Sequence, residues 1–93
     1  MKRRLIRSNS FIRGAKRLAK RDGLAVEQLF TALALLEEDA YHPRLKTHKL
    51  QGELQGDWAC RFGYDLRIIF EFVNLESHEA ILLHLLGTPD EVY

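Results

Sequence analysis

Two arginines and an aspartate stand in a segment whose other residues alternate like those of β-strands. The segment is KLQGELQGDWACRFGYDLRIIFEF, and it contains Arg61, Asp65 and Arg67. An arginine in a strand has to reach solvent or an anionic partner, because a buried unpaired charge is very costly. Asp65 is one candidate partner within the protein. The other is an anion from outside.

A short basic loop precedes this segment. The sequence HPRLKTHKLQG supplies five cationic or titratable side chains: His42, Arg44, Lys46, His48 and Lys49. Such a loop suits phosphate contact, or it is an ordinary solvated loop. If His48 and Lys49 share one sheet face with the two arginines, their surplus positive charge requires an external anion. A phosphodiester would serve.

Length and composition predict a single folded domain, residues 1–93. The chain is 46% hydrophobic and 29% charged, a balance typical of globular proteins. Its one cysteine, Cys60, cannot form an intramolecular disulfide, and no Cys/His pairing pattern predicts a metal site. We find no signal-peptide pattern and no apolar run long enough to cross a membrane, so we expect a cytoplasmic protein.

The net charge of +1 conceals a strong asymmetry along the chain. Residues 1–21 contain nine lysines or arginines and no acid, whereas the remaining 72 residues carry five bases and thirteen acids. Such a separated field steers a polyanion or an acidic partner toward one face. Alternatively, the basic residues pair with acids of the same molecule.

Apolar spacing predicts an α+β fold. Residues 2–7 read as a short basic strand, and Ser8 or Ser10 is placed to cap a helix that ends near Gly23. A second helix runs from Ala25 to the acids before Pro43, so the two helices form a hairpin. Four shorter runs with Gly and Asn between them predict antiparallel strands at 50–54, 58–62, 66–73 and 80–86.

These elements predict an N-terminal strand and a helical hairpin packed on one face of a twisted antiparallel sheet of about four strands. Alternation along the third strand puts Ile68 and Phe70 on one face, with Arg67 and Glu71 on the other. The second face is therefore expected to be concave and partly wet. Trp58 is expected in the core.

The order of four motifs carries a family resemblance. HKLQG, GDWACRF, YDLRIIFEF and the terminal LGTPDEVY resemble the RelE/ParE superfamily of bacterial toxins, especially RelE-like mRNA interferases of the YafQ kind, over essentially the whole chain. The resemblance implies a RelE-like fold and the toxin of a type II toxin–antitoxin system. It also implies a metal-independent endoribonuclease without cofactor, which cuts mRNA in the ribosomal A site. A cognate antitoxin would silence it, in a heterotetramer or a larger assembly.

The resemblance also implies roles for particular residues. In this chemistry the substrate 2′-OH attacks the adjacent phosphate, so the protein moves protons and stabilises developing charge. His48 matches the family histidine for proton transfer, Asp65 orients or acts as a base, and Arg61 stabilises the phosphate with support from Arg67. Tyr93 matches a terminal aromatic residue that offers a base-stacking surface or a hydroxyl. Arg44, Lys46 and Lys49 become RNA-binding candidates.

One motif position departs from the family pattern. Pro89 stands where many relatives have a histidine that serves as catalytic acid, and proline cannot transfer a proton. Leu85 occupies the place of another family arginine, with His84 beside it on the expected opposite strand face. The alternatives are therefore an attenuated or inactive nuclease, a ParE-like toxin that binds DNA gyrase, and a plain RNA- or partner-binding domain.

Overall fold

Two helices cover one face of a β-sheet in the computed structural model, which describes residues 2–52 and 56–93. The helices are α1 (Asn9–Arg21) and α2 (Gly23–Glu38). The strands are β1 (Arg4–Arg7), β2 (His48–Lys49), β3 (Trp58–Phe62), β4 (Leu66–Leu75) and β5 (His78–Gly87). A 3-10 turn at Pro43–Leu45 follows α2, and the short helix α3 (Pro89–Val92) follows β5. The predicted α+β fold is confirmed.

The five strands found in the described residues form one sheet in the order β1-β5-β4-β3-β2. β1 runs parallel to β5, whereas every other neighbouring pair is antiparallel. The N-terminal strand therefore extends the sheet instead of packing on it, which adds a strand to the four expected. This pairing places the N-terminal strand beside β5, so that β1 and not β5 forms this edge of the sheet.

Side-chain caps begin both long helices. Ser8 Oγ accepts a hydrogen bond from the Phe11 backbone N–H at 3.0 Å. Asp22 Oδ1 accepts from Leu24 N at 3.1 Å and from Ala25 N at 3.3 Å, so α2 begins earlier than the predicted start at Ala25. No helix in the described part of the chain is long and apolar enough to cross a membrane.

Ser8→Ala is expected to destabilise the fold by about 1–2 kcal/mol, because it removes the cap of α1. The same hydroxyl donates to the His84 carbonyl at 2.8 Å and ties the start of α1 to β5. Thermal unfolding should show a melting temperature lower by roughly 4–8 °C per kcal/mol. Ser10→Ala is the matched control, since the Ser10 hydroxyl accepts only from the Arg13 side chain. Equal losses in both variants would contradict the role of Ser8.

The core lies between the helices and the side of the sheet that faces them. Phe11, Leu36, Phe70 and Leu83 are each 2% exposed or less. Cys60 is equally buried in this layer, and its burial raises the pKa of the thiol to about 12. The thiol is therefore protonated at neutral pH and is no candidate nucleophile.

An aromatic group closes the margin of this core. Trp58 is half-buried and meets Tyr41 and Phe72 edge-on, with ring centroids 5.8 and 5.2 Å apart. The tryptophan thus lies on the core side of the sheet, as predicted, but at its rim. It forms the boundary between the core and the basic loop that follows α2.

The strand predicted at 50–54 is wrong in its described part. The paired residues are His48 and Lys49, and the Leu50 N–H donates to the Asp57 carbonyl at 2.9 Å as a last contact in the same register before the chain leaves the sheet. Gly52, with φ of 75°, takes the left-handed conformation that this departure requires. Residues 53 and 54 lie outside the described residues.

Candidate nucleic-acid interface

The sheet brings three of the predicted cationic or titratable side chains to the face opposite the helices, here called the open face. Arg61 of β3 pairs directly with Arg67 of β4, and His48 of β2 pairs with Ala59, two residues before Arg61. Directly opposed residues share a sheet face, and diagonal neighbours lie about 7–8 Å apart. His48, Arg61 and Arg67 therefore form one group, the cationic end of the open face.

Lys49 does not join this group, so the expectation that it shares their face is wrong. It pairs with Trp58, and its ammonium lies 5.8 Å from the centre of the indole ring on the helix side of the sheet. The physical reason is the alternation of side chains along a strand, since His48 and Lys49 are consecutive residues of β2.

The two arginines of the cationic end differ in their surroundings. Arg67 Nη1 lies 3.9 Å from Asp65 Oδ1 and donates to the Leu66 carbonyl at 3.2 Å, and its side chain is only 17% exposed. Arg61 is exposed, and no carboxylate of residues 2–52 or 56–93 lies within 4.0 Å of it. Asp65 thus lies beside the Arg67 guanidinium, whereas the Arg61 guanidinium is accessible to an anion from solution.

The orientation of His48 fixes which ring nitrogen can exchange a proton. Its Nδ1 lies 2.9 Å from the Lys46 carbonyl oxygen. A carbonyl can only accept, so Nδ1 carries the hydrogen of the neutral ring and Nε2 keeps its lone pair. The side chain is exposed, and Nε2 is therefore the position that can take a proton from a bound molecule.

A groove runs from the cationic end toward α2. It has a volume of about 560 Å³, and its polar lining includes Arg44, Lys46, Arg61 and Glu27. The 3-10 turn presents the first two of these cations, because His42 Nδ1 accepts from the Arg44 backbone N–H at 3.1 Å and caps the turn. In the described chain neither Arg44 nor Lys46 has a carboxylate within 4.0 Å.

Helix α3 begins where the cationic end stops. Gly87 pairs with Arg67, and Pro89 occupies the first turn of α3 two residues later. Glu91 accepts from the Thr88 backbone N–H at 2.8 Å, which holds the pKa of this carboxyl below its usual value. Position 89, where the sequence resemblance places a histidine, therefore follows closely after the partner of Arg67, and it holds a proline that begins the helix.

The last residues of the chain cover the middle of the open face. Val92 packs with Ala59 and Ile69 in a small apolar cluster, against which Leu50 also lies. Tyr93 follows and is 52% exposed, so its ring is accessible beside this cluster. The open face is thus partly covered. The sequence had led us to expect a concave, open surface, and the structure differs from that expectation in the middle of the face.

A group of two carboxylates and a histidine lies at the end of the open face away from Arg61 and Arg67. The sequence did not predict it. His84 Nε2 lies 3.7 Å from Asp57 Oδ1 and 3.6 Å from Glu71 Oε2. A β-bulge opposite Ile69 and Phe70 carries the extra residue His84 to this face, where the Leu85 side chain also lies. The expectation that these two residues face opposite ways is therefore wrong.

The architecture and the site together define a small α+β domain whose sheet presents a cationic end and a basic groove. The same architecture occurs in solved toxin structures, of which three are 15–26% identical to this chain. A metal-bound toxin from Helicobacter pylori is 26% identical, with a TM-score of 0.78 and 100% coverage of both chains. The YoeB/ParE toxin from Agrobacterium tumefaciens is 15% identical, with a TM-score of 0.76 and coverage of 91% of this chain and 97% of that one.

A third neighbour comes from the E. coli DinJ–YafQ toxin–antitoxin complex. It is 20% identical, has a TM-score of 0.75 and covers 100% of this chain and 99% of that one. No protein-family model matches the sequence, and no match was found among curated proteins. The chain therefore has the fold of the RelE/YafQ-like toxins, as its sequence resemblance predicted.

Proposed function

We propose that this chain is the toxin of a type II toxin–antitoxin system and that it acts as a ribosome-dependent mRNA endoribonuclease. One observation carries the proposal. His48, Arg61 and Arg67 lie on one face at one end of the sheet, and Arg61 has no carboxylate partner in the described chain. This end combines a proton acceptor with two permanent cations, which is the equipment that phosphodiester cleavage needs.

The cleavage step follows from this placement. His48 Nε2 takes the proton of the ribose 2′-OH, the 2′ oxygen forms a bond to phosphorus, and the bond from phosphorus to the 5′ oxygen breaks. Arg61 and Arg67 stabilise the additional negative charge on the phosphate oxygens. Asp65 keeps Arg67 in place. The leaving 5′ oxygen takes its proton from water, because Pro89 has none to give.

The RNA strand would be held on both sides of the scissile phosphate. The groove lined by Arg44, Lys46 and Arg61 suits the sugar–phosphate backbone, since three cations there outnumber Glu27. Tyr93 offers an exposed ring on which a base can stack. Lys49 lies on the opposite sheet face, so its predicted RNA contact is not part of this path.

An antitoxin partner fits the basic surface of α1. The exposed cations Arg13, Lys16, Arg17 and Lys20 have no carboxylate within 4.0 Å in the described chain, whereas Arg21 pairs with Glu91 at 3.7 Å. An acidic segment of a cognate antitoxin would neutralise this surface, in a heterotetramer or a larger assembly of cytoplasmic proteins. A chain of the same fold occurs in the E. coli DinJ–YafQ toxin–antitoxin complex, which supports the proposal of an antitoxin partner.

Arg61→Ala is expected to lower mRNA cleavage by about 10- to 100-fold, since a hydrogen bond to a charged group contributes roughly 1.5–3 kcal/mol. Primer extension on transcripts isolated after induction measures the loss of cut sites. Arg13→Ala is the matched control, because it removes an exposed arginine of α1 that contacts only the Ser10 hydroxyl.

The same experiment separates the alternatives. Growth arrest with intact transcripts would overturn the nuclease proposal and favour a toxin that binds a protein such as DNA gyrase. The missing proton donor at Pro89 is the observation that speaks for this second function. Cleavage that is unchanged in Arg61→Ala would show that the cationic end is not the site.

A further inference from the structure

The far end of the open face carries a group of metal-ligating side chains that the proposed RNA cleavage does not use. We infer that Asp57, Glu71 and His84, the carboxylate–imidazole cluster, bind a divalent first-row transition metal such as Zn²⁺. Their three ligand atoms lie within 4.8 Å of one another. The cluster is formed by three different segments of the sheet region, and its residues are far apart in the sequence.

The distances fit a shared metal better than direct hydrogen bonds. His84 Nε2 is 3.7 Å from Asp57 Oδ1 and 3.6 Å from Glu71 Oε2, and both separations exceed the usual hydrogen-bond range. Zinc binds nitrogen and carboxylate oxygen at about 2.0–2.2 Å, so two ligands of a tetrahedral site lie about 3.3–3.6 Å apart. The two carboxylate oxygens lie within 4.8 Å of each other, so they need to approach by about 1.5 Å at most to reach the same spacing.

The charge of the cluster also calls for a cation. Asp57 and Glu71 bring two negative charges together, and within residues 2–52 and 56–93 no lysine or arginine nitrogen lies within 4.0 Å of either one. Protonated His84 would neutralise only one of these charges. A divalent metal bound by neutral imidazole neutralises both.

The backbone around the cluster is fixed before any metal binds. The His84 carbonyl accepts from Ser8 Oγ at 2.8 Å, and the Asp57 carbonyl accepts from the Leu50 N–H at 2.9 Å. Glu71 lies in the middle of β4 and pairs with Leu82. Two of the three ligands, Glu71 and His84, thus lie on paired strands, which hold ligands more precisely than loops do, so less ordering entropy is lost on binding.

The ligand types select the kind of metal. One imidazole nitrogen and two carboxylate oxygens suit Zn²⁺ and its first-row neighbours, whereas Mg²⁺ and Ca²⁺ prefer oxygen alone. The side chains are 23–36% exposed, so water can complete the coordination. Cys60 is not available as a ligand, since it is buried on the helix side of the sheet.

The cluster is separate from the two arginines of the cationic end. Glu71 lies four residues beyond Arg67 on β4, a distance of about 13 Å along an extended strand. The apolar cluster of Ala59, Ile69 and Val92 lies between the metal ligands and these arginines, whereas His48, opposite Ala59, is diagonal to Asp57 as well as to Arg61. The bound metal therefore clamps β4 and β5 to the residue preceding β3.

The test is a calorimetric titration of the purified full chain with Zn²⁺, combined with thermal unfolding with and without the metal. We expect one Zn²⁺ per chain, a higher melting temperature on binding, and a visible Co²⁺ spectrum with an imidazole nitrogen among the ligands. His84→Ala and Glu71→Gln should each weaken binding by at least about 10-fold, the lower range for losing a supporting group at a metal site.

His78→Ala is the matched control, because it removes an exposed histidine from the same strand outside the cluster. Unchanged binding in both His84→Ala and Glu71→Gln would overturn the inference. The absence of binding by Zn²⁺ and Co²⁺ would also overturn it. A melting temperature that rises on acidification and does not change with added metal would overturn it too, because it would identify His84 as a protonated bridge between the carboxylates. Asp57→Asn keeps the test decisive if His84→Ala fails to fold. RNA cleavage is not used as the readout, so this result is independent of the proposed function.

Discussion

His48→Ala is expected to reduce RNA cleavage by about 10²–10⁴-fold, the range that general acid–base catalysis contributes. The effect is large because His48 is the imidazole that the sheet brings to the face of Arg61 and Arg67, whereas Asp65 is engaged with the Arg67 guanidinium. Its Nδ1 hydrogen is held by the Lys46 carbonyl, so Nε2 is presented with its lone pair outward. Single-turnover cleavage of a short RNA or of a programmed ribosome complex measures the rate.

Lys49→Ala is the matched control for this variant. It changes the adjacent residue of the same two-residue strand, but its side chain lies over Trp58 on the other sheet face. Cleavage by Lys49→Ala is expected to stay within a few-fold of the parent rate, and the melting temperatures of both variants should be close to that of the parent because both side chains are exposed. A larger loss in Lys49→Ala than in His48→Ala would rule out the proposed orientation of the strand.

The contrast between the two ends of the open face restricts how RNA can approach. The cationic end attracts phosphates, whereas Asp57 and Glu71 at the far end repel them unless a metal is bound. A strand that crossed the whole face would place phosphates beside these carboxylates. The groove lined by Arg44, Lys46 and Arg61 leads away from them toward α2, and it is therefore the electrostatically favourable path.

Local patterns in the sequence were sufficient for much of this fold. The apolar spacing of both helices and the alternation in β3 and β4 each depend on neighbours a few residues apart, so they could be read directly. The pairing of Arg61 with Arg67 follows from the short connection between those two strands. The place of His48 did not follow in this way, because the strand predicted at 50–54 did not include it and its pairing with Ala59 is seen in the structure.

Features set by distant contacts could not be predicted in this way. The parallel pairing of β1 with β5 joins residues more than seventy positions apart, for example Leu5 and Ile81. The lengths of β4 and β5 depend on a tight turn in which Glu76 and Ser77 adopt left-handed φ of 52° and 69° without a glycine.

The metal-ligating cluster was missed for a related reason. Simple alternation turns His84 away from Leu85, and only the bulge opposite Ile69 and Phe70 brings its ring to Asp57 and Glu71. A one-residue irregularity moves a side chain to the other face of a sheet, and no sequence signal in this chain marks its position.

Pro89→His is expected to increase RNA cleavage by about 10²-fold, the lower end of the range for adding a general acid. Pro89 begins α3 two residues after Gly87, which pairs with Arg67, so an imidazole there lies beside the cationic end. It would donate the proton that the leaving 5′ oxygen otherwise takes from water. The first helical position tolerates many residues besides proline, so the fold should be retained.

The pH dependence of the rate distinguishes this mechanism from a change in backbone freedom. A histidine at position 89 that acts as a general acid works only in its protonated form, so the rate gained in Pro89→His should be lost again at high pH. Pro89→Gln is the matched control, because glutamine also restores the backbone N–H but does not titrate. A similar rate increase in Pro89→Gln would show that the proline ring was the obstacle, and an unchanged rate in Pro89→His would show that protonation of the leaving oxygen does not limit cleavage.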